Sequence, residues 1–296
     1  MKHLRKQIAG YLLTLILLMA GIVFPGSGEK VLASGGSMTV HFLDVGQGLS
    51  ILVQSEGQNL LYDGGPRSAS SYVVSYLQEQ NVSEIDYLIS SHYDEDHVSG
   101  LIGCLNAFQV DNVIGADYIH DSSLYGSFMD AVAAHGLEVQ HPAVGAVNSG
   151  LDLSCDVLSV GHHGSATSTS WDFLQAAVPE FAVISCGAGN MYGHPHADTM
   201  EKLSDMGIQV YRSDEQGTIV ASSDGSAITW SADPCNDYTS GDGETAGQSE
   251  GENGFTAEDN SGTDAAAASE KSEQIAAADD SQEEMVWISA TGSKYH

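Results

Sequence analysis

Apolar and polar positions follow two distinct periods between residues 37 and 231. Runs of β-branched and aromatic residues bounded by turn residues predict strands, whereas apolar positions three and four apart predict helices. The predicted strands are 38–45, 51–55, 59–65, 85–92, 156–160, 181–187 and 208–213, and the predicted helices are 70–80, 171–178 and 199–207. This mixture favours an α+β core in which helices cover two sheets.

The two ends of the chain differ in composition from this core. Residues 1–33 combine a basic start, an apolar run and small residues, which predicts a signal peptide. Because the run approaches the ~20 residues that span a bilayer, an N-terminal anchor is the alternative, and export to a secreted or cell-surface location is expected in both cases. Residues 236–284 predict a disordered acidic linker, and residues 285–296 regain β character as the start of a truncated C-terminal segment.

The chain is strongly acidic, with 40 Asp and Glu against 9 Lys and Arg and a formal net charge of −31. Between residues 34 and 235 the basic residues are Arg67, Lys202 and Arg212. Proteins that hold nucleic acid supply Lys and Arg to the phosphates, so this balance disfavours a long polyanion as partner. A solubility or habitat preference is the plainer explanation of the acidity. No partner protein is indicated, and a membrane is a partner only if residues 1–33 are retained.

The four cysteines, Cys104, Cys155, Cys186 and Cys235, contain no Cys-x-x-Cys pair, so they form no zinc-knuckle pattern. Disulfides are permitted in an exported protein, but the spacing does not define their pairing. Cys155 and Cys186 fall in apolar runs, where burial as a small hydrophobic residue is expected.

The densest chemistry lies in residues 91–100, SHYDEDHVSG, directly after the apolar run SEIDYLIS. His92, Asp94, Asp96 and His97 place two imidazoles and two carboxylates within six positions. Both groups are ligands for divalent metals such as zinc and manganese. A lone histidine or an acidic turn is usually solvated surface, but four such residues at H-x-D-x-D-H spacing after a strand indicate a metal site.

Six sequence blocks, in order, resemble the metallo-β-lactamase family, and in particular its secreted branch related to the metallo-hydrolase domain of the competence protein ComEC. The blocks are HFLDVGQGLSILVQ (41–54), NLLYDGG (59–65), DYLISSHYDEDHVSGL (86–101), DVLSVGHHGSATSTS (156–170), FAVISCGAGNMYGHPH (181–196) and VYRSDEQGTIV (210–220). The resemblance implies an αββα sandwich over residues 37–231 and a hydrolase that uses two divalent ions, zinc or manganese.

The resemblance also implies roles for individual residues. It places His92 and Asp94 at one ion and Asp96 and His97 at the other, with His162 preferred over its neighbour as a further ligand. The catalytic candidates, as substrate-side donors or as the general acid, are His163, His194 and His196. The supporting candidates are Asp63 and Asp44, which would hold the motif through hydrogen bonds.

One motif of the family is missing. In the family, a pair of strands ending in Thr-Gly-Asp precedes the GHHGS histidines, and its aspartate bridges the two ions. Here Val147-Asn148-Ser149-Gly150 runs directly into LDLSCD, and the chain contains no Thr-Gly-Asp. We therefore expect a sandwich without one strand pair, weaker metal retention, and a single ion as the alternative to two. Asp152 and Asp156 lie nearby, although Asp156 begins a predicted strand.

These features predict an exported hydrolase that cleaves a phosphoester with metal-activated water, as a phosphodiesterase of nuclease-like type. A nucleic-acid end is one candidate substrate, which the acidic charge disfavours. Two alternatives stay open: hydrolysis of another small ester, such as a choline-phosphate ester or a lactone, and a catalytically impaired metal-binding domain that lacks the bridging aspartate.

Overall fold

The structure is a computed structural model, and it describes residues 37–141 and 153–241. The predicted signal peptide, the predicted linker beyond residue 241 and the C-terminal segment lie outside these residues. The connection 142–152, which contains Asp152, also lies outside them. Among the described residues, no helix is both long enough and apolar enough to cross a membrane.

The described strands form two sheets. The larger sheet has the order β11-β10-β1-β2-β3-β4-β5-β6, and the smaller has the order β7-β8-β9. The strands are β1 (Met38–Phe42), β2 (Ile51–Ser55), β3 (Gln58–Tyr62), β4 (Glu84–Ser90), β5 (Gln109–Gly115), β6 (Val139–Gln140), β7 (Val157–Ser159), β8 (Phe181–Ile184), β9 (Gln209–Arg212), β10 (Ile219–Ser223) and β11 (Ile228–Trp230).

Helices connect many of these strands, and the three predicted helices are confirmed within two residues at each end. The α-helices are α1 (Ser70–Glu79), α2 (Glu95–Ala107), α3 (Ser123–Ala134), α4 (Trp171–Ala177), α5 (Ala197–Asp205) and α6 (Ser213–Gln216), and Arg67–Ala69 and Gly161–Gly164 form 3-10 turns. The sequence analysis did not predict α2, α3 or α6.

Strand directions place many loops at one edge of each sheet. Strands β1, β2 and β3 pair antiparallel, as the turn residues between them predict. From β3 to β6, and again from β7 to β9, neighbouring strands are parallel. Because the carboxyl ends of parallel strands meet at one edge, the residues that follow β3, β4 and β5 lie close together, as do those that follow β7 and β8.

Three apolar cores define four layers, which confirms the αββα arrangement. The first core lies between the larger sheet and α1, α2 and α3, and includes Leu52, Leu88 and Leu101. The second core joins the two sheets, with Phe42 and Ile89 on one side and Tyr211 on the other. The third core fills the space between the smaller sheet and helices α4 and α5. Burial of these faces is the main driving force that holds the sheets together.

The stretch that follows β11 is packed onto the smaller sheet. The Asn236 side chain accepts a hydrogen bond from the Val210 amide at 3.0 Å, and the Tyr238 hydroxyl donates to the Ile208 carbonyl at 2.8 Å. Ser240 is buried, and the Gly241 amide donates to the Pro195 carbonyl at 2.8 Å. Packed residues therefore continue past residue 231 to Gly241, and they include the first six residues of the predicted linker. Composition did not reveal these contacts, because their partners lie far away in sequence.

A close backbone contact sets helix α2 against the turn after β3. An added Cβ at Gly100 would lie 1.7 Å from the Gly64 carbonyl oxygen, so only glycine fits there. The Gly64 amide donates to the His97 carbonyl at 2.7 Å, and the Gly100 amide donates to the Gly65 carbonyl at 3.0 Å. This contact brings the residue before Gly64, an aspartate, next to the first turn of α2.

Candidate metal centre

The H-x-D-x-D-H motif is the turn that joins β4 to α2. Asp94 precedes the helix with an extended backbone, and its carbonyl accepts hydrogen bonds from the amides of His97 and Val98 at 3.1 and 2.9 Å. His92 lies before this turn and His97 within the helix, and their ring centroids are 3.9 Å apart. The start of the helix thus brings the two imidazoles together from either side of the carboxylates.

Asp63 orients both imidazoles through their Nδ1 atoms, on the side of the rings away from the motif carboxylates. Its carboxylate is fully buried and accepts hydrogen bonds from His97 Nδ1 at 2.8 Å, the Ser91 amide at 2.8 Å and the Ser91 hydroxyl at 2.6 Å. The same hydroxyl lies 2.8 Å from His92 Nδ1. Both rings therefore carry their proton on Nδ1 and turn Nε2 forward, as metal-binding histidines do when an outer carboxylate holds them.

The Nε2 atoms of both rings face the carboxylates of Asp94 and Asp96. His92 Nε2 is 3.5 Å from Asp94 Oδ2, and His97 Nε2 is 3.6 Å from Asp96 Oδ2. Three potential ligand atoms, one each from His92, Asp96 and His97, lie within 4.8 Å of one another.

The second histidine cluster comes from the GHHGS turn after β7. His163 Nε2 lies 3.2 Å from Asp96 Oδ2, and its Nδ1 donates to the Ser185 carbonyl at 2.7 Å. His162 instead lies beside His194, with ring centroids 5.0 Å apart. The structure therefore brings His163, rather than the preferred His162, to the motif. Both histidines have positive φ, 46° and 54°, a strained backbone of the kind that clusters at functional sites.

The arrangement fits the divalent metal that the resemblance implies. Ligand bonds of about 2.0–2.2 Å in a tetrahedral shell separate neighbouring ligand atoms by about 3.4 Å. The contacts that Asp94 and Asp96 make with His92, His97 and His163, at 3.2–3.6 Å, have this spacing. All three rings are held through Nδ1 and present Nε2, so the donor set is ready for a cation.

The charges of the motif agree with this interpretation. The contact with the His92 imidazole is the main cause that lowers the pKa of the Asp94 carboxyl, against the opposing effect of burial. Burial of Asp96 favours its neutral form, but the adjacent imidazoles of His97 and His163 outweigh burial and lower its pKa. Both carboxylates are therefore ionised at neutral pH and available to a cation.

Of the two YGHPH histidines, His194 lies beside His162 and His163, whereas His196 packs against His194 and uses both ring nitrogens in other hydrogen bonds. Gln47 Nε2 donates to His194 Nδ1 at 3.2 Å, which leaves the proton on Nε2. Burial and the nearby imidazoles lower the pKa of His194 to about 3, so the ring is neutral. His196 uses both nitrogens, since Nδ1 accepts from the Ala166 amide at 3.0 Å and Nε2 donates to the Tyr192 carbonyl at 2.9 Å.

Two residues that the sequence analysis passed over take part in the site. Gln47 positions His194 while its Oε1 accepts from the Gly187 amide at 3.1 Å. His120 Nε2 lies 3.3 Å from Asp94 Oδ1. The Gly-Gln-Gly turn was a usable signal for the first, whereas a single loop histidine gave no signal for the second. Asp44, a predicted supporting residue, is exposed and accepts from the Gly46 amide at 3.2 Å, so it supports that turn.

Asp156 is not near the motif. It lies immediately before β7, and its carbonyl accepts from the amides of Glu180 and Phe181. His163 follows the other end of the same strand, and a strand advances about 3.3 Å per residue. Asp156 therefore cannot replace a bridging aspartate beside His163.

Residues 43–170 match the Metallo-beta-lactamase superfamily. Three bacterial proteins are also similar. Competence protein ComA of Neisseria gonorrhoeae is 30% identical over 243 residues, which cover 69% of this chain and 34% of that protein. Recombination protein 2 of Haemophilus influenzae is 30% identical over 206 residues, which cover 55% of this chain and 26% of that protein. ComE operon protein 3 of Bacillus subtilis is 25% identical over 295 residues, 71% and 38% of the two chains.

Among solved structures, the metallo-β-lactamase SMB-1 has a TM-score of 0.24 and 22% identity, covering 25% of this chain and 29% of its own. A diphosphatase from the PhnP family has a TM-score of 0.37 and 8% identity, and the match covers 60% of this chain and 86% of the diphosphatase.

The sequence match and the layered fold together define a metallo-β-lactamase superfamily domain. More specifically, the chain carries a metallo-hydrolase domain related to the ComA and ComEC competence proteins. The chain spans about a third of the length of these curated relatives.

Proposed function

We propose that this domain is an exported, divalent-metal-dependent hydrolase that cleaves a small phosphodiester. The observation that carries the proposal is the orientation of His92, His97 and His163: each ring is held through Nδ1 and presents Nε2 to an ionised carboxylate of the motif. His163 takes the place that the resemblance gave to His162.

Bound divalent ions would supply a nucleophilic water at neutral pH and offset the charge that develops on a phosphoryl group. The chain's own residues would hold the cation and orient the substrate. Asp63 and Ser91 keep the His92 and His97 rings fixed, so the site needs little rearrangement to bind a cation. His194, neutral and held by Gln47, would donate its Nε2 proton as a hydrogen bond to a substrate oxygen rather than act as a cationic acid.

Charge supports a small substrate. The chain carries a net charge of −31, and the basic side chain Arg212 is buried in contacts with Asp214 and Glu215. Lys202 is also buried and paired with Asp198. Among the described residues this leaves Arg67 as the basic side chain without such a pairing, too little to hold a long polyanion. A short phosphodiester, or one with a cationic group, fits this surface better than a nucleic-acid strand.

The missing Thr-Gly-Asp favours one other candidate, a domain that binds metal but turns over slowly. The alignment to the Bacillus protein runs over 295 residues yet includes 71% of this chain, so that relative carries residues this chain lacks. In the smaller sheet, β7 pairs only with β8 among the described strands. A lost bridge removes a group that would hold water between two ions.

A substrate panel separates these functions. We expect metal-dependent release of p-nitrophenol from bis(p-nitrophenyl) phosphate and from p-nitrophenyl phosphorylcholine, a phosphodiester with a cationic group. Ring opening of a lactone, followed through the acid that it produces, should be slower. His97→Ala should abolish the activity, and His141→Ala, at an exposed histidine outside the motif, should retain it. Metal binding without turnover of any substrate would instead identify the impaired domain.

A further inference from the structure

His120 approaches the metal centre from the neighbouring strand. It lies five residues after β5, and β5 pairs parallel to β4 with Gly115 opposite Ser90. The two strands therefore end side by side, and the loops that follow them share one edge of the sheet. This topology explains why a histidine distant in sequence lies against the 92–97 motif.

The His120 ring is oriented from outside the site. Its Nδ1 lies 2.9 Å from the Ser122 hydroxyl. Ser122 is the N-cap of α3, and the same hydroxyl accepts from the Tyr125 amide at 3.1 Å. The helix cap thus holds Nδ1, and Nε2 faces Asp94 Oδ1 at 3.3 Å.

This geometry repeats that of the other three site histidines. In each of His92, His97 and His163, Nδ1 meets an oxygen outside the centre and Nε2 faces a motif carboxylate at 3.2–3.6 Å. His141 makes a useful contrast. Its Nδ1 also meets a carbonyl, but Nε2 is 3.9 Å from Asp117 and the side chain is 41% exposed.

We infer that His120 is a metal ligand, the third residue of a set with His92 and Asp94. The inference rests on the proposed metal centre and extends it. Asp96, His97 and His163 would form the second set, because His97 Nε2 and His163 Nε2 both face Asp96 Oδ2, at 3.6 and 3.2 Å. The two sets adjoin, since ligand atoms of His92, Asp96 and His97 lie within 4.8 Å of one another. Three protein ligands and one open position are the usual shell of a catalytic zinc ion. The chain can then hold two ions, one for each set, without the Thr-Gly-Asp aspartate that the resemblance implies as the bridge in the family.

Metal binding by the purified full chain tests this assignment without using activity. Zn²⁺ is titrated calorimetrically into chelator-treated wild type, His120→Asn and the matched control His141→Asn. Asparagine retains a polar atom near the position of Nδ1, so the contact with Ser122 can persist while Nε2 is lost. We expect two ions in the wild type and control, and in His120→Asn one ion whose affinity is unchanged and one bound at least about tenfold more weakly.

A second variant gives a positive signal that a structural role would not produce. His120→Cys loaded with Co²⁺ should gain a near-ultraviolet thiolate-to-metal charge-transfer band, and His141→Cys should not. One ion in the wild type, two ions of unchanged affinity in His120→Asn, or no new band in His120→Cys would each overturn the assignment. Two ions in this pattern without ester hydrolysis would support the ligand assignment and refute the proposed function.

Discussion

Replacing Gly100 by alanine should separate the turn after β3 from helix α2. The added Cβ would lie 1.7 Å from the Gly64 carbonyl oxygen, so the two backbones must move apart by about 1.5 Å to reach ordinary contact. That movement stretches the hydrogen bonds from Gly64 to His97 and from Gly100 to Gly65. Overpacking costs about 1–3 kcal/mol and each weakened hydrogen bond about 1 kcal/mol, so we expect a loss of roughly 2–5 kcal/mol in the free energy of unfolding.

Gly126 in α3 provides the matched control, because an added Cβ there meets no atom within 4 Å. Gly126→Ala should raise the free energy of unfolding by about 0.5–1 kcal/mol through helix propensity alone. Urea unfolding of both variants in chelator, followed by far-UV circular dichroism, compares them with the wild type. A midpoint for Gly100→Ala equal to or above that of Gly126→Ala would refute the close-contact reasoning.

Three further substitutions or treatments test other parts of the account. Asparagine tolerates the positive φ of residue 63, so Asp63→Asn should keep the backbone but weaken the hydrogen bond that orients His97. Zn²⁺ affinity measured by calorimetry should therefore fall about 10–100-fold, and unchanged affinity would contradict this role of Asp63. Burial and Glu180 raise the pKa of the Asp156 carboxyl, so its ionised form opposes folding above that pKa. Asp156→Asn should therefore stabilise the protein at pH 7 by up to about 1 kcal/mol, a gain that thermal melts should show disappearing below about pH 4. Burial raises the pKa of the Cys104 thiol to about 12, so iodoacetamide at pH 8 should label it in urea and leave it unlabelled in the native protein.

Local patterns in the sequence predicted the parts of the site that are local. The H-x-D-x-D-H turn follows an apolar strand and lies within six residues, so its convergence depends on one turn and the start of one helix. The choice between His162 and His163 was not local. It depends on two strained backbone positions and on Ser185, which follows a different strand.

Long-range packing also explains the unpredicted elements. Helix α2 contains Gly100 and Gly103, which lower its intrinsic helix propensity, yet close packing on Gly64 requires a small residue. His120 reaches the motif only because β4 and β5 end together, which no spacing along the chain reveals. Residues 236–241 are polar by composition, and their order comes from hydrogen bonds to β9 and its neighbours.

The most direct test of the central claim is the metal dependence of phosphodiester hydrolysis by the chelator-stripped chain. Bis(p-nitrophenyl) phosphate turnover is followed while Zn²⁺ or Mn²⁺ is added in steps. We predict that activity is absent without metal, rises with added metal to a plateau, and falls at least about 100-fold in His97→Ala. Hydrolysis that persists in chelator, or that His97→Ala leaves unchanged, would contradict the claim.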